Sequence, residues 1–218
     1  MVGFSFHLRV PVPPGNRAIS RVALFPGAWN PPTVAHVAIA RAALAWADEV
    51  IWTLPRAFPH KVFEGADFAE RLAMLRQLAE PEPRFSVAVA DRGLYVEIAD
   101  EARGVLAPEI EIGLLCGRDA AERIAAWDYG RPGVFEDTIQ RYPLLVASRA
   151  GDYLPDARHA ARIVTLTMER TFDDVSSTEI RERLRLGKPW RHLAPDEIAP
   201  AIASVYAGRR PPTEPLLS

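Results

Sequence analysis

From residue 21 onward the chain alternates short apolar runs with helix-like runs. That alternation restricts the fold more than any other feature. Val22–Phe25, Val50–Leu54, Phe85–Ala90 and Ile110–Cys116 read as buried strands, and turn formers such as Pro26-Gly27 and Pro55 close the first two. Leu144–Ala147 and Ile163–Leu166 look like further strands. Between and after them, Val34–Ala47, Phe68–Leu78, Tyr95–Leu106, Ala120–Trp127, Ser176–Leu186 and Asp196–Tyr206 have helical character. Strands separated by helices predict an α/β fold: a Rossmann-like, doubly wound, mostly parallel sheet with a small C-terminal helical portion over about 174–208.

Ahead of this core, Phe4, Phe6, Leu8 and Val10 alternate with other residues, so 1–20 reads as a leader or an edge strand, stopped by Pro11, Pro13, Pro14 and Gly15. The core domain spans 21–208, and the Pro-rich segment 209–218 is expected to be a disordered tail. With 218 residues, one such domain can bury a core without staples. The single cysteine, Cys116, excludes an intrachain disulfide and fits a reducing compartment. No apolar run approaches the roughly 18 residues of a membrane span, and no signal peptide is visible, so a cytoplasmic protein is expected. A net charge of −2 gives no case for a nucleic-acid or membrane partner. Homo-oligomerisation stays open.

Doubly wound sheets bind ligands beyond the C-terminal ends of their strands, at the switch point. The turns that matter therefore follow Phe25, Leu54, Ala90 and Cys116. The first reads Pro26-Gly27-Ala28-Trp29-Asn30-Pro31-Pro32-Thr33-Val34-Ala35-His36. Gly27 ends a strand where a side chain would block a ligand from the backbone. Pro31 and Pro32 stiffen the entry to a helix. Thr33 is a plausible N-cap whose hydroxyl is expected to face outward, and His36, three residues on, shares its face of the first turn. A hydroxyl, an imidazole and a helix N-terminus at the switch point form a candidate phosphate site.

A second helix start reads Val175-Ser176-Ser177-Thr178-Glu179-Ile180-Arg181. Ser176 and Glu179 have capping-box spacing, and Gly187 and Pro189 stop the helix. Hydroxyls, backbone donors and the Arg181 guanidinium collect at one point, which suits a polyphosphate.

Gly27, Trp29, Pro31, Thr33 and His36 resemble, in order, the Gly-x-(Phe or Trp)-x-Pro-x-(Thr or His)-x-x-His signature of the nucleotidylyltransferase superfamily. Val175–Arg181 resembles its second signature, Ile-Ser-Ser-Thr-x-Ile-Arg, with Val175 in place of Ile. Further segments are similar to those of bacterial nicotinate (nicotinamide) mononucleotide adenylyltransferases: Pro59-His60-Lys61 followed by Arg71 and Met74, and Gly117-Arg118-Asp119 followed by Trp127. Ser148-Arg149-Ala150-Gly151 is similar to that family's Arg-Pro-Gly turn. Two departures stand out. Pro26-Gly27 resembles the phosphopantetheine enzymes rather than the Gly-Gly of the nicotinate enzymes. Gly93-Leu94-Tyr95-Val96 keeps only Tyr95 of the family's Ser-Tyr-Thr stretch.

The resemblance implies transfer of AMP from ATP to nicotinate mononucleotide with release of pyrophosphate, a step of NAD biosynthesis. It implies His36, Thr33 and Arg181 as catalytic. Gly27, Ala28, Trp29, His36, Lys61, Gly117, Asp119, Ser177, Thr178 and Arg181 would bind ATP. Tyr95, Trp127, Lys61 and Arg71 would bind the acceptor, with Asp119 on a ribose and Trp127 stacked on a flat ring. Mg²⁺ is expected, held mainly by ATP phosphates, with no dedicated protein metal ligands. The alternatives are a phosphopantetheine adenylyltransferase-like or CTP-dependent transferase of the superfamily, or a catalytically silent nucleotide-binding module.

Overall fold

The computed structural model describes residues 3–10, 19–57, 65–147, 153–168, 172 and 174–206. Seven strands form one sheet: β1 (Phe4–Leu8), β2 (Arg21–Pro26), β3 (Glu49–Pro55), β4 (Phe85–Ala90), β5 (Glu111–Gly117), β6 (Leu144–Ala147) and β7 (Ile163–Leu166). Their order is β1-β4-β3-β2-β5-β6-β7. All pairs are parallel except β1 with β4, where the leader lies antiparallel on the edge with an irregularity between Phe6 and Leu8. The expected doubly wound sheet with an N-terminal edge strand is therefore present.

The helices are α1 (Val34–Ala43), α2 (Phe68–Ala79), α3 (Tyr95–Arg103), α4 (Arg118–Ala125), α5 (Val134–Arg141), α6 (Ser177–Arg185) and α7 (Ala199–Tyr206). They divide between the two faces. Ile39 and Ala43 of α1, Met74 and Leu75 of α2, Ile180 of α6 and Ile202 of α7 pack with Phe25, Trp52 and Leu54 on one face. Ile98 of α3, Ala121 of α4 and Ile139 of α5 pack with Leu24, Ile51 and Leu114 on the other. The strands feed both faces through their two-residue period: Ala23 and Phe25 look one way, Val22 and Leu24 the other.

Several boundaries shift. Helix α1 stops at Ala43, and turns carry the chain on to Trp46. The run 196–206 opens with a 3₁₀ turn before α7. Helix α5 was not anticipated; the loop signals Gly130, Pro132 and Gly133 mask it, although Phe135, Thr138 and Ile139 are its buried stripe. Among the described residues, no helix is long and apolar enough to cross a membrane. The expected tail, Pro59-His60-Lys61 and Ser148–Gly151 lie outside the described residues.

The chain order reverses between β2 and β5, which pair directly. Pro26-Gly27 and Cys116-Gly117 thus end side by side, and the crevice at the switch point opens there.

Candidate active site at the switch point

Helix α1 begins where β2 ends. Thr33 is its N-cap, and its Oγ1 accepts from the His36 backbone N–H at 3.3 Å. The His36 ring returns the contact: Thr33 N–H donates to Nδ1 at 3.0 Å. This is a capping box with histidine in the place usually taken by Glu or Gln. A backbone N–H can only donate, so Nδ1 is an acceptor and the neutral ring carries its proton on Nε2. The cap thus sets both the tautomer and the orientation of a half-buried imidazole. The ring is further held edge-on by Trp29, with centroids 5.2 Å apart.

This arrangement corrects the expected role of Thr33. The residue is 0% exposed and its hydroxyl lies 2.9 Å from His36 Nδ1, so it does not face outward.

Trp29 is corrected in the same way. Its indole is buried against Phe25 and Trp52, and its Nε1 donates to Thr53 O at 2.9 Å. Any contact of Trp29 with a nucleotide must come from its backbone, which sits in the left-handed region at φ 52°. Such a conformation costs on the order of 1–3 kcal/mol and persists only when neighbours over-determine it. Gly27 also has a packing reason beyond ligand approach. A Cβ there would lie 2.6 Å from the Trp29 ring.

The turn 27–32 is gripped from several elements. Gly27 N–H donates to Thr53 O at 3.1 Å. Arg71 Nη1 donates to Ala28 O at 3.1 Å, while its Nε binds Asp67 O. Arg71 is only 6% exposed, and burial lowers its pKa, so its expected contact with an acceptor gives way to a clamp on the turn. Helix α6 docks from the other side: Ser177 Oγ donates to Pro31 O at 2.7 Å, and Arg181 Nη1 to Asn30 O at 2.6 Å. Arg181 Nη2 also reaches the exposed Thr178 hydroxyl at 3.3 Å. The two signature segments, separated by more than 140 residues, are therefore one structure. Ser176 caps α6 by accepting from Glu179 N–H, but the Glu179 carboxylate pairs with Arg183 rather than closing a capping box.

Across the crevice, Gly117 is the N-cap of α4 and Asp119 stands exposed in its first turn. A Cβ on Gly117 would meet only ordinary contacts, the nearest being Ile39 Cδ1 at 3.6 Å. Protein packing does not require glycine there.

Tyr95 departs from its expected role as a ligand for the acceptor. Its hydroxyl lies against Pro26 O (3.3 Å) and Leu115 O (3.5 Å), tying β2 to β5, and burial raises its pKa well above the usual phenol value. Trp127 is 36% exposed and lines a cavity of about 400 Å³ with Tyr129, Arg131 and Phe135. Lys61 lies outside the described residues. Two buried contributors escaped the sequence reading: Asn30, whose side chain accepts from Ala66 N–H and from the Tyr206 hydroxyl, and Tyr206 itself. The only local signal was a polar residue before the Pro pair; nothing marked Tyr206.

Comparison with known proteins places the chain in a family. The cytidylyltransferase-like family model matches residues 24–183. A probable nicotinate-nucleotide adenylyltransferase of Salinibacter ruber is 31% identical over 196 residues, covering 81% of this chain and 92% of that protein. One from Carboxydothermus hydrogenoformans is 29% identical over 195 residues, covering 82% and 93%. In fold, the chain is similar to Plasmodium falciparum nicotinic acid mononucleotide adenylyltransferase complexed with NaAD, with a TM-score of 0.64, 15% identity and coverage of 85% and 95%. The family match spans both signature segments and the crevice between them, so the chain belongs to the cytidylyltransferase-like family of nucleotidyltransferases, on its nicotinate-nucleotide adenylyltransferase branch.

Proposed function

We propose that the chain transfers AMP from ATP to nicotinate mononucleotide, releasing pyrophosphate. The observation that carries this reading is the convergence of two helix N-termini, α1 and α6, at the switch point, joined through Ser177 to Pro31 and Arg181 to Asn30. Each N-terminus presents unsatisfied N–H groups and roughly half a positive charge, so the pair favours a polyphosphate.

In the reaction, an oxygen of the acceptor's phosphate attacks the α-phosphorus of ATP. The new P–O bond forms as the bond from the α-phosphorus to the bridging oxygen breaks, and pyrophosphate departs with that oxygen. No covalent enzyme intermediate is needed; positioning and charge stabilisation suffice. His36 donates from Nε2–H to an α-phosphate oxygen, with the capping box holding the ring in the required tautomer. Arg181, Thr178 and the α6 N-terminus offset the charge of the leaving phosphates. Gly117 lets the nucleotide approach β5, and Asp119 accepts from a ribose hydroxyl.

The cavity beside Trp127 suits the acceptor's ring. It offers aromatic walls from Trp127 and Tyr129 and the Arg131 guanidinium for the ring's carboxylate. Mg²⁺, when bound, would be held mainly by ATP phosphate oxygens and would supply charge neutralisation there.

The test is pyrophosphate release from ATP or CTP with nicotinate mononucleotide, nicotinamide mononucleotide or phosphopantetheine as acceptor. The expected result is turnover with ATP and nicotinate mononucleotide, lost by roughly 100-fold or more in His36→Ala while the fold survives. Near-normal turnover of His36→Ala, or release only with another pair, would overturn the assignment.

A further inference from the structure

Ser177 and Arg181 grip the turn from the second signature segment. Thr53, Ala66, Arg71 and, at the end of α7, Tyr206 grip it from outside both signatures. Tyr206 lies 176 residues from its partner, and its hydroxyl donates to Asn30 Oδ1 at 2.5 Å. The amide orientation is fixed independently, because Ala66 N–H also donates to Oδ1, at 3.2 Å, and an N–H cannot accept. Asn30 and Tyr206 are both buried, 7% and 8% exposed. Burial raises the Tyr206 pKa, so the phenol stays protonated and remains a donor.

The surroundings are built close around this pair. Gly65 sits at φ 106°, and a Cβ there would lie 2.9 Å from Tyr206 Cε1 and 3.0 Å from Asn30 Oδ1. A side chain at 65 would push the two partners apart. On one side of Asn30 is Trp29, in its left-handed backbone conformation. On the other, three residues along, is Thr33, the cap that orients His36. The Asn30 carbonyl carries Arg181. Asn30 thus stands between the strained residue, the imidazole and the guanidinium, and its side chain is anchored by α7.

We infer that Tyr206 is a positioning residue: through Asn30 it holds the Gly27–Thr33 turn in the form that aims His36 and Arg181, so the last described helix completes an active site to which it contributes no ligand contact. The kinetic arm of this inference rests on adenylyl transfer as the activity; the exchange arm does not.

The test is Tyr206→Phe, which keeps the buried ring and removes one oxygen, with Asn30→Ala and the double variant. Losing one buried hydrogen bond at a positioning residue should lower kcat by about tenfold, with KM for ATP changing much less. Amide hydrogen exchange over residues 27–30 should quicken several-fold in Tyr206→Phe. In the Asn30→Ala background, Tyr206→Phe should have no further effect on either quantity. A kcat within twofold of wild type, unchanged exchange in the turn, or a full additional loss in the double variant would each overturn the inference. If one single variant does not fold, the other decides: quickened exchange and lowered kcat support the pair, and wild-type values in both refute it. If the wild-type protein releases no pyrophosphate with any acceptor, the functional proposal fails, and the exchange measurement alone decides this one.

Discussion

Thr33→Val separates two roles for a motif hydroxyl. If Thr33 were a phosphate ligand, its loss would appear in ATP binding. The structure instead makes it a fully buried cap that holds His36. Valine is close in shape, so no cavity opens. What disappears is the acceptor for the His36 N–H, worth about 1 kcal/mol at an N-cap. The Oγ1 contact with Nδ1 at 2.9 Å disappears too, worth on the order of 1 kcal/mol. Together these come to roughly 2 kcal/mol, or a fall in Tm of about 4–8 °C for a domain of this size. The Thr33 backbone N–H still donates to Nδ1, so the ring keeps its tautomer. Turnover should therefore fall by less than about tenfold, far less than in His36→Ala, with KM for ATP within twofold. Thr33→Ser keeps the oxygen and should restore most of the lost Tm. The assays are thermal unfolding and initial rates of pyrophosphate release across an ATP series. An unchanged Tm with KM for ATP raised tenfold or more would refute the reasoning and return the hydroxyl to the ligand.

The two glycines at the crevice should behave oppositely. Gly27→Ala drives a methyl to 2.6 Å from the Trp29 ring and should cost about 1–3 kcal/mol in urea unfolding, with activity lost alongside. Gly117→Ala, whose nearest contact would be 3.6 Å, should unfold like wild type but show a raised KM for ATP; equal behaviour of the pair in both assays would contradict the packing argument. At the other end of β3, Glu49 is buried, accepts from the Ser86 hydroxyl and leaves Oε2 without a hydrogen-bond partner among the described residues; burial raises its pKa above the ordinary 4.5. Its contribution to stability is fully present below the unfolded-state value and is lost as pH rises through the raised folded value, so Glu49→Gln should gain stability relative to wild type across that range. Urea midpoints of both proteins from pH 4 to 8 check the sign, and a gap that narrows with rising pH would be the wrong one.

The parts of this molecule that were legible in its sequence are those governed by local periodicity and local chemistry. Apolar runs of strand length alternating with helical spacing were enough for a parallel sheet, because a strand buried on both faces and a helix with one apolar stripe can pack in few ways. Thr33 and His36 were readable as neighbours because three residues make one helical turn. Spacing does not say which way a polar group points once the chain has folded. Thr33, Trp29, Arg71 and Tyr95 all belong to the site region, yet the structure turns each of their side chains inward onto protein atoms: His36 Nδ1, Thr53 O, Ala28 O and the carbonyls of Pro26 and Leu115. For Arg71 and Tyr95 the physical reason is shared. A turn that must present its backbone and one imidazole to a ligand leaves carbonyls that its own short length does not satisfy, and buried carbonyls require donors. Arginine, tyrosine, tryptophan and serine supply them from distant elements, as Arg71, Arg181 and Ser177 do here. A motif therefore records two populations of residues, those that meet the ligand and those that hold the ones that do. Both are polar, and only long-range geometry sorts them. The pair least visible to local reading, Asn30 and Tyr206, spans the greatest separation and belongs wholly to the second population.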